Sequence, residues 1–420
     1  MKQDWLASFD ALMKVHDEGA YSNIAINESM KRFRNVDASF VQMMVKGVLR
    51  NQLLIDQKID GLARRGIKSV KARPLIILRM SIFAVDMMNS VPDYAAVNEA
   101  VKLSKRVSPV ESGFINALLR TYIRDGERFS DDKIIDAGVR FSFPNELAEL
   151  IRRDYGENSA NIFKALSEPK PVVLRCNLML ISRENLIDKM RKKGYDVLVD
   201  ETTKSGVIVN SGLPVNDEMF RSGLYSVQSS SSIEAIEKLN PRAGSRVLDL
   251  CAAPGGKSVA IAELMKNEGE VVACDIHPHR ISLIEQNVKR MKTGIITTKL
   301  MDATIFYETL RESFDYVVSD VPCSGIGVIP NKPELKYRID VNNITSLIRT
   351  QEKILSNGIN YLKKNGTIMY STCTLNKDEN ENVLKKVLVS FPDVEIVESK
   401  CILPYNNKIG FYYCIMKKNG

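Results

Sequence analysis

Val247-Leu-Asp-Leu-Cys-Ala-Ala-Pro-Gly-Gly-Lys-Ser258 is the stretch that decides the fold of this chain. Its first four residues read as a buried strand. They run directly into the small-residue turn Cys251-Ala252-Ala253-Pro254-Gly255-Gly256-Lys257, and a helical stretch follows. Such a turn at the C-terminal end of a strand lets backbone come close to a ligand. The first turn of the next helix offers it unpaired N–H groups. P-loops, dinucleotide sites and methyltransferases all use a turn of this kind. The GxxxxGK[ST] spacing fails here because residue 251 is Cys, and GxGxxG is absent.

Outward from this unit, strands and helices alternate. Glu270-Val-Val-Ala-Cys274, Ile295-Thr-Thr-Lys-Leu300, Phe314-Asp-Tyr-Val-Val318 and Gly366-Thr-Ile-Met-Tyr370 read as further strands separated by helical stretches. That order implies an α/β fold, a Rossmann-like doubly wound parallel sheet over 241–420. Asp275 ends the second strand, where a carboxylate can accept hydrogen bonds from two ribose hydroxyls. Asp302 follows the third, where an acidic side chain can meet an adenine. A single loop aspartate would mean little, but these stand at the ends of successive strands of one sheet.

The fourth strand leads into Asp320-Val-Pro-Cys323-Ser-Gly-Ile-Gly327, and the fifth into Tyr370-Ser-Thr-Cys373-Thr-Leu375 with Asp378-Glu-Asn-Glu381 behind it. Both cysteines therefore fall at the mouth of the sheet, in loops of small and polar residues where binding groups concentrate. Cys176, Cys274, Cys401 and Cys414 read as inert core filler. A thiol beside a methyl-transfer cofactor has a chemical reason. C5 of cytosine is too weak a nucleophile until a thiolate adds to C6 and makes C5 enamine-like. The reaction also needs an acid partner at the N3/N4 edge, for which Asp320 is placed. The target base must be unpaired or flipped out.

Towards the N-terminus the pattern changes. Residues 1–140 carry apolar positions at helical spacing, as in Phe40-Val-Gln-Met-Met-Val45 and Leu75-Ile-Ile-Leu78, and read as an all-α bundle. Residues 141–240 read as a small α+β module, with strands at Pro171-Val-Val-Leu-Arg-Cys176, Tyr195-Asp-Val-Leu-Val-Asp200 and Gly206-Val-Ile-Val-Asn210. Ser182 is placed to cap the helix between the first two.

At 420 residues, 44% hydrophobic and 26% charged, the chain is expected to be globular with two or three domains. The start lacks a signal-peptide apolar stretch and no window approaches a membrane span, so the expected compartment is the cytoplasm. Seven cysteines without a CxxC pair, and only His16, His277 and His279, point away from a disulfide framework or a metal site. The net charge of +8 is spread along the chain. One run, Arg64, Arg65, Lys68, Lys71, Arg73 and Arg79, has no acid within 61–80. It is either a solvated helix end or a phosphate-binding patch.

At these residues the chain resembles the RNA cytosine-C5 methyltransferases of the Sun/Fmu (RsmB) type. Leu248-Asp-Leu-Cys-Ala-Ala-Pro-Gly-Gly-Lys257, Asp320-Val-Pro-Cys-Ser-Gly325 and Tyr370-Ser-Thr-Cys-Thr374 match that family's motifs. The helical block is similar to the NusB-like RNA-binding domain through Val91 to Lys105 and Phe114 to Arg120. The resemblance implies methyl transfer from S-adenosyl-L-methionine to a cytosine of small-subunit (16S) rRNA, cytosine 967 in type. It implies Cys373 as nucleophile and Cys323 as the residue assisting breakdown of the covalent adduct. It also implies cofactor binding by Cys251 to Lys257, Asp275, Asp302 and Asp320. DNA cytosine methyltransferases use the Pro-Cys cysteine as nucleophile and lack the Ser-Thr-Cys one, so the pair implies RNA and not DNA as substrate.

A monomer is expected, with no metal and no membrane partner. The chain departs from the family where Val328-Ile-Pro-Asn-Lys-Pro-Glu334 replaces an Arg pair, which leaves Lys332 or Lys336 to supply a basic contact to the substrate. It departs again at Ser229, where the family has Asp after Val-Gln. Two other readings compete. One is a NusB-like assembly or transcription factor with an inactive methyltransferase half, disfavoured by the intact Cys323, Cys373 and Asp320. The other is a nicotinamide oxidoreductase, disfavoured by the missing GxGxxG.

Overall fold

The computed structural model describes residues 2–125, 136–211 and 217–420. The chain forms two compact units, one of Met1–Glu168 with Ile329–Ile339, the other of Pro169–Val328 with Asp340–Gly420.

The first unit is helical. Helices Gln3–Asp17, Ser22–Arg32, Ala38–Arg50, Gln52–Leu62, Ala72–Met87, Asp93–Val107 and Ser112–Arg124 share one core, and Asn145–Tyr155 and Ser159–Ser167 follow. Helix Ala72–Met87 is buried from Ile76 to Val85, apolar around most of its circumference as a central helix must be. Helix Ala38–Arg50 lies close to it at Gly47, where a Cβ would fall 2.0 Å from the Phe83 ring.

Two basic residues in this unit differ from the sequence expectation. Arg79 is not part of an exposed run: it is 7% exposed and reaches Asp56 through Nε at 2.7 Å and Nη2 at 2.8 Å. Lys336 is buried too. Its ammonium donates to the carbonyls of Arg50 and Phe141 and to Ser167 Oγ, at 3.2, 2.7 and 3.1 Å. Burial pushes its pKa well below the ordinary lysine range. A side chain so enclosed cannot meet an RNA backbone, so Lys336 is withdrawn as a substrate contact. Its segment is stitched in further by Glu334, which accepts from Ser22 N at 2.9 Å, and by Arg338, which donates to the carbonyls of Val15, Gly19 and Ala20.

The second unit carries two sheets. The smaller is antiparallel, with β1 (Val172–Cys176), β2 (Asp196–Val199), β3 (Gly206–Ser211) and β4 (Tyr225–Val227) in the order β2-β3-β1-β4. Helix Arg183–Lys192 packs on β2, and Ser182 Oγ caps it by accepting from Asn185 N at 3.2 Å.

The larger sheet has the order β10-β11-β9-β8-β5-β6-β7. Its strands are β5 (Arg246–Asp249), β6 (Glu270–Asp275), β7 (Ile296–Leu300), β8 (Phe314–Asp320), β9 (Leu362–Thr372), β10 (Val394–Ile402) and β11 (Phe411–Lys418). The pairs from β9 across to β7 are parallel, while β11 pairs antiparallel with β9 and β10. The chain leaves β5 towards β6 on one side and later adds β8 on the other. The crevice of this doubly wound sheet therefore opens at the carboxyl ends of β5 and β8, where ligands bind in such folds. The antiparallel pair β10–β11 is an addition to the sequence reading.

Candidate active site

The turn after β5 is shaped by two features. Gly255 adopts φ +97°, a region that strains any residue with a Cβ, and a Cβ there would meet Ile284 at 3.2 Å. Gly256 then opens helix Gly256–Leu264, whose first amides lack intrahelical acceptors. Ala252 N donates to Cys274 O at 2.8 Å and Gly255 N to Ala252 O at 2.7 Å, and the Ala253–Pro254 peptide is cis.

Beside this turn lies a cavity of about 380 Å³. Cys251, Ala253, Asp275, Asp302 and Asp320, five of the residues expected at a cofactor site, line it together, and Ile276 adds an apolar wall. Asp275 is 5% exposed, with Oδ1 accepting from His277 N at 3.0 Å. Asp302 Oδ1 holds the Thr304 amide and hydroxyl at 2.9 and 2.7 Å. The other oxygen of Asp275, Oδ2, lies 3.9 Å from Arg280 Nη1. Ala252, Pro254, Gly255 and Gly256 shape the turn instead of the wall.

Lys257 has another task. Its Nζ lies 2.6 Å from Asp320 Oδ2, and Ser371 Oγ donates to Asp320 Oδ1 at 2.7 Å. Burial works against the lysine's charge, but Asp320 outweighs it and the pKa is raised. Both Asp320 oxygens thus have fixed donors, so the carboxylate is aimed in this arrangement.

Asp320 ends β8 and Ser371 is its register partner on β9. Parallel pairing of the two strands therefore puts their following loops side by side. Cys323 Sγ and Cys373 Sγ come to 3.3 Å. The hydrogen bond with Cys373, then burial, pushes the Cys323 thiol well above its ordinary range, so Cys323 enters as a neutral thiol. The loops also cross at Gly327, whose amide donates to Cys373 O at 2.9 Å. A Cβ at Gly327 would fall 2.0 Å from Gly410 O.

Of the four thiols expected as core filler, three lie in the core, while Cys401 is only half-buried. Cys176, Cys274 and Cys414 are buried, and burial raises each to about 12. Cys251 is raised by burial as well, which makes it a wall of the cavity and not a nucleophile.

Several supporting residues escaped the sequence reading. Asp249, fully buried, accepts from Ser258 Oγ at 2.6 Å, tying β5 to the helix after the turn. Ser371 aims Asp320. Glu379 gathers donors from the cysteine loops. Glu379 carried a local signal, its place behind the Ser-Thr-Cys loop; the partner of Ser371 stands 51 residues earlier, and Asp249 meets Ser258 only once the turn folds back.

A family model described as the 16S rRNA methyltransferase RsmB/F matches residues 236–417. Models of the NusB family and of the RsmF/B-like ferredoxin-like domain match 5–124 and 143–216. The "Probable ribosomal RNA small subunit methyltransferase B" of Bacillus subtilis is 32% identical over 98% of this chain and 98% of its own length. The ribosomal RNA small subunit methyltransferase B of Vibrio cholerae is 28% identical over 98% and 96%. Among solved structures, a methyltransferase homolog protein from Pyrococcus horikoshii superposes with a TM-score of 0.61 at 26% identity, over 68% of this chain and 98% of that one. With the helical, ferredoxin-like and Rossmann-like parts all matched and a relative aligned end to end, the chain belongs to the RsmB/F family of 16S rRNA methyltransferases.

Proposed function

We propose that the chain methylates C5 of a cytosine in 16S rRNA, of the cytosine 967 type, with Cys373 as nucleophile. The observation that carries this is the pair of thiols at 3.3 Å, next to a carboxylate that is fixed by two donors. S-adenosyl-L-methionine supplies the sulfonium methyl group when bound. The residues fit it: Asp275 suits a ribose diol, Asp302 the adenine end, and the free amides after Gly255 an anionic tail. Cys251 to Lys257 form the turn against which it rests, and Asp320 lines this cavity at the end of β8, three residues before Cys323.

In the reaction Cys373 adds to C6 of the base, with Asp320 at the N3/N4 edge as acid partner. C5 gains the methyl group and gives its proton to water; that electron pair restores the C5–C6 double bond as the sulfur–C6 bond breaks and Cys373 leaves as thiolate. Cys323, held as a thiol beside Cys373, assists that last step. Aiming by Lys257 and Ser371 keeps Asp320 from relaxing away from the base, the preorganisation that such sites depend on.

The functional parts are proposed as a NusB-like RNA-binding part over 1–140, a linking module over 141–240 and the methyltransferase over 241–420. Arg64, Arg65 and Lys68 are exposed and carry no ion pair among the described residues, so they are the phosphate contacts offered by the helical unit. The thiols, Asp320 and the cofactor cavity all come from one chain, and action as a monomer is proposed with it. No helix among the described residues is long and apolar enough to cross a membrane, and the proposed place of action is the cytoplasm.

The test is to map 5-methylcytosine in 16S rRNA of a strain lacking the gene. One cytosine is expected to lose the mark, to regain it with the wild-type gene, and not with a Cys373→Ala gene. Restoration by Cys373→Ala, or loss at no cytosine, would remove the proposal.

A further inference from the structure

Glu379 is fully buried, yet no lysine or arginine pairs with it among the described residues. A carboxylate in such a place is tolerated only if hydrogen bonds replace water. Four donors do so. Ser324 gives its amide at 2.8 Å and its hydroxyl at 2.5 Å; Gln351 Nε2 and Asn376 Nδ2 follow at 3.0 and 3.1 Å.

The origin of these donors matters more than their number. Ser324 directly follows Cys323. Gln351, on helix Ile344–Tyr361, uses its other proton on Pro322 O at 2.9 Å, the carbonyl directly before Cys323. The backbone on both sides of Cys323 is therefore fixed by Glu379 or by a side chain that Glu379 orients. Ser324 Oγ also touches Thr374 Oγ1 at 2.7 Å, next to Cys373. Cys373 has its own restraints: it leaves β9 directly and receives Gly327 N at its carbonyl. Removing the carboxylate would loosen Cys323 far more than Cys373.

We propose that Glu379 is the positioning residue for Cys323, acting on release of the methylated base and not on the attack by Cys373. This rests on the roles proposed above for the two cysteines. A displacement of about 1 Å in a group that acts on a bond can cost about a hundredfold, so release should become the slow step.

The experiment uses the full chain with 16S rRNA and S-adenosyl-L-methionine, comparing wild type, Cys323→Ala, Glu379→Ala, Glu379→Gln and Ser324→Ala. Turnover is measured beside the fraction of protein carried as a covalent RNA adduct on a denaturing gel. Glu379→Ala is expected to slow turnover by about tenfold to a hundredfold and to accumulate adduct as Cys323→Ala does. Glu379→Gln, which fills the same space, is expected to do the same to a smaller degree. Cofactor affinity should stay unchanged in each.

Slow turnover without adduct in both Glu379 variants, while Cys323→Ala accumulates it, would overturn the proposal and leave the reading of the cysteines intact. If Cys323→Ala itself accumulates none, the reading of Cys323 fails, and the role of Glu379 falls with it.

Discussion

Lys257 Nζ sits 2.6 Å from Asp320 Oδ2, joining the helix after the glycine-rich turn to the end of β8. The motif lysine thus ties the glycine-rich turn to the carboxylate at the end of β8. The two charges support each other, so their removal should not be additive. Lys257→Met is expected to lower stability by about 2 kcal/mol and activity by more than tenfold. In the Lys257→Met, Asp320→Asn double variant the stability loss should be less than the sum of the two single losses. Urea unfolding of the three variants checks this, and strict additivity would contradict the coupling.

Asp249 gives the fold a pH dependence. Burial raises its pKa to about 6, despite the bond from Ser258. In the unfolded chain it ionises near the ordinary 3.8, so the folded state holds a proton the unfolded one has lost. The stability from this group is complete below about pH 4 and is lost as pH rises to about 6. The change is about 3 kcal/mol at most. Asp249→Asn should flatten the unfolding free energy over that window. An unchanged slope between pH 4 and 6 would show that Asp249 ionises normally.

Gly327 lies where the two cysteine loops cross, with no room for a side chain beside Gly410 O. Gly327→Ala must push backbone aside, at a cost of about 1–3 kcal/mol. It should also weaken methyl transfer, since the same residue donates to Cys373 O. Thermal unfolding and a labelled-methyl assay check both effects; wild-type behaviour would mean the loops yield freely.

The basic residues of the helical unit separate into two classes. Arg79, paired with Asp56 and nearly buried, should destabilise the fold on change to alanine by about 3–5 kcal/mol without altering the salt dependence of RNA binding. Arg64→Ala with Arg65→Ala should leave stability unchanged within about 0.5 kcal/mol and flatten the log K against log salt slope by about 1 per residue. A slope unaffected by the pair would return these residues to a solvated surface.

How much of this was legible follows from the range over which each feature is encoded. The parallel strands and the turn after β5 are local patterns, and so were read directly from Val247 to Ser258. The cysteine loops were legible because each follows its own strand. The antiparallel pair was missed. β10 is an edge strand with mostly exposed residues, so it lacks a clear alternation. β11 is a nearly continuous apolar run whose partner can be fixed only by the sheet.

Charge was the least reliable guide. Arg79 and Lys336 look like surface cations until Asp56, 23 residues away, and the carbonyls of Arg50 and Phe141 are seen around them. Glu379 illustrates the same limit. Its position behind Cys373 was visible, but Ser324 stands 55 residues earlier.

The decisive question is which sulfur attacks the base. The direct measurement is to incubate Cys323→Ala with 16S rRNA and S-adenosyl-L-methionine, digest the product and sequence the RNA-linked peptide by mass spectrometry. One methylated cytidine joined to the peptide containing Cys373 is expected. A nucleotide joined elsewhere, or no linked peptide while methyl transfer continues, would contradict attack by Cys373.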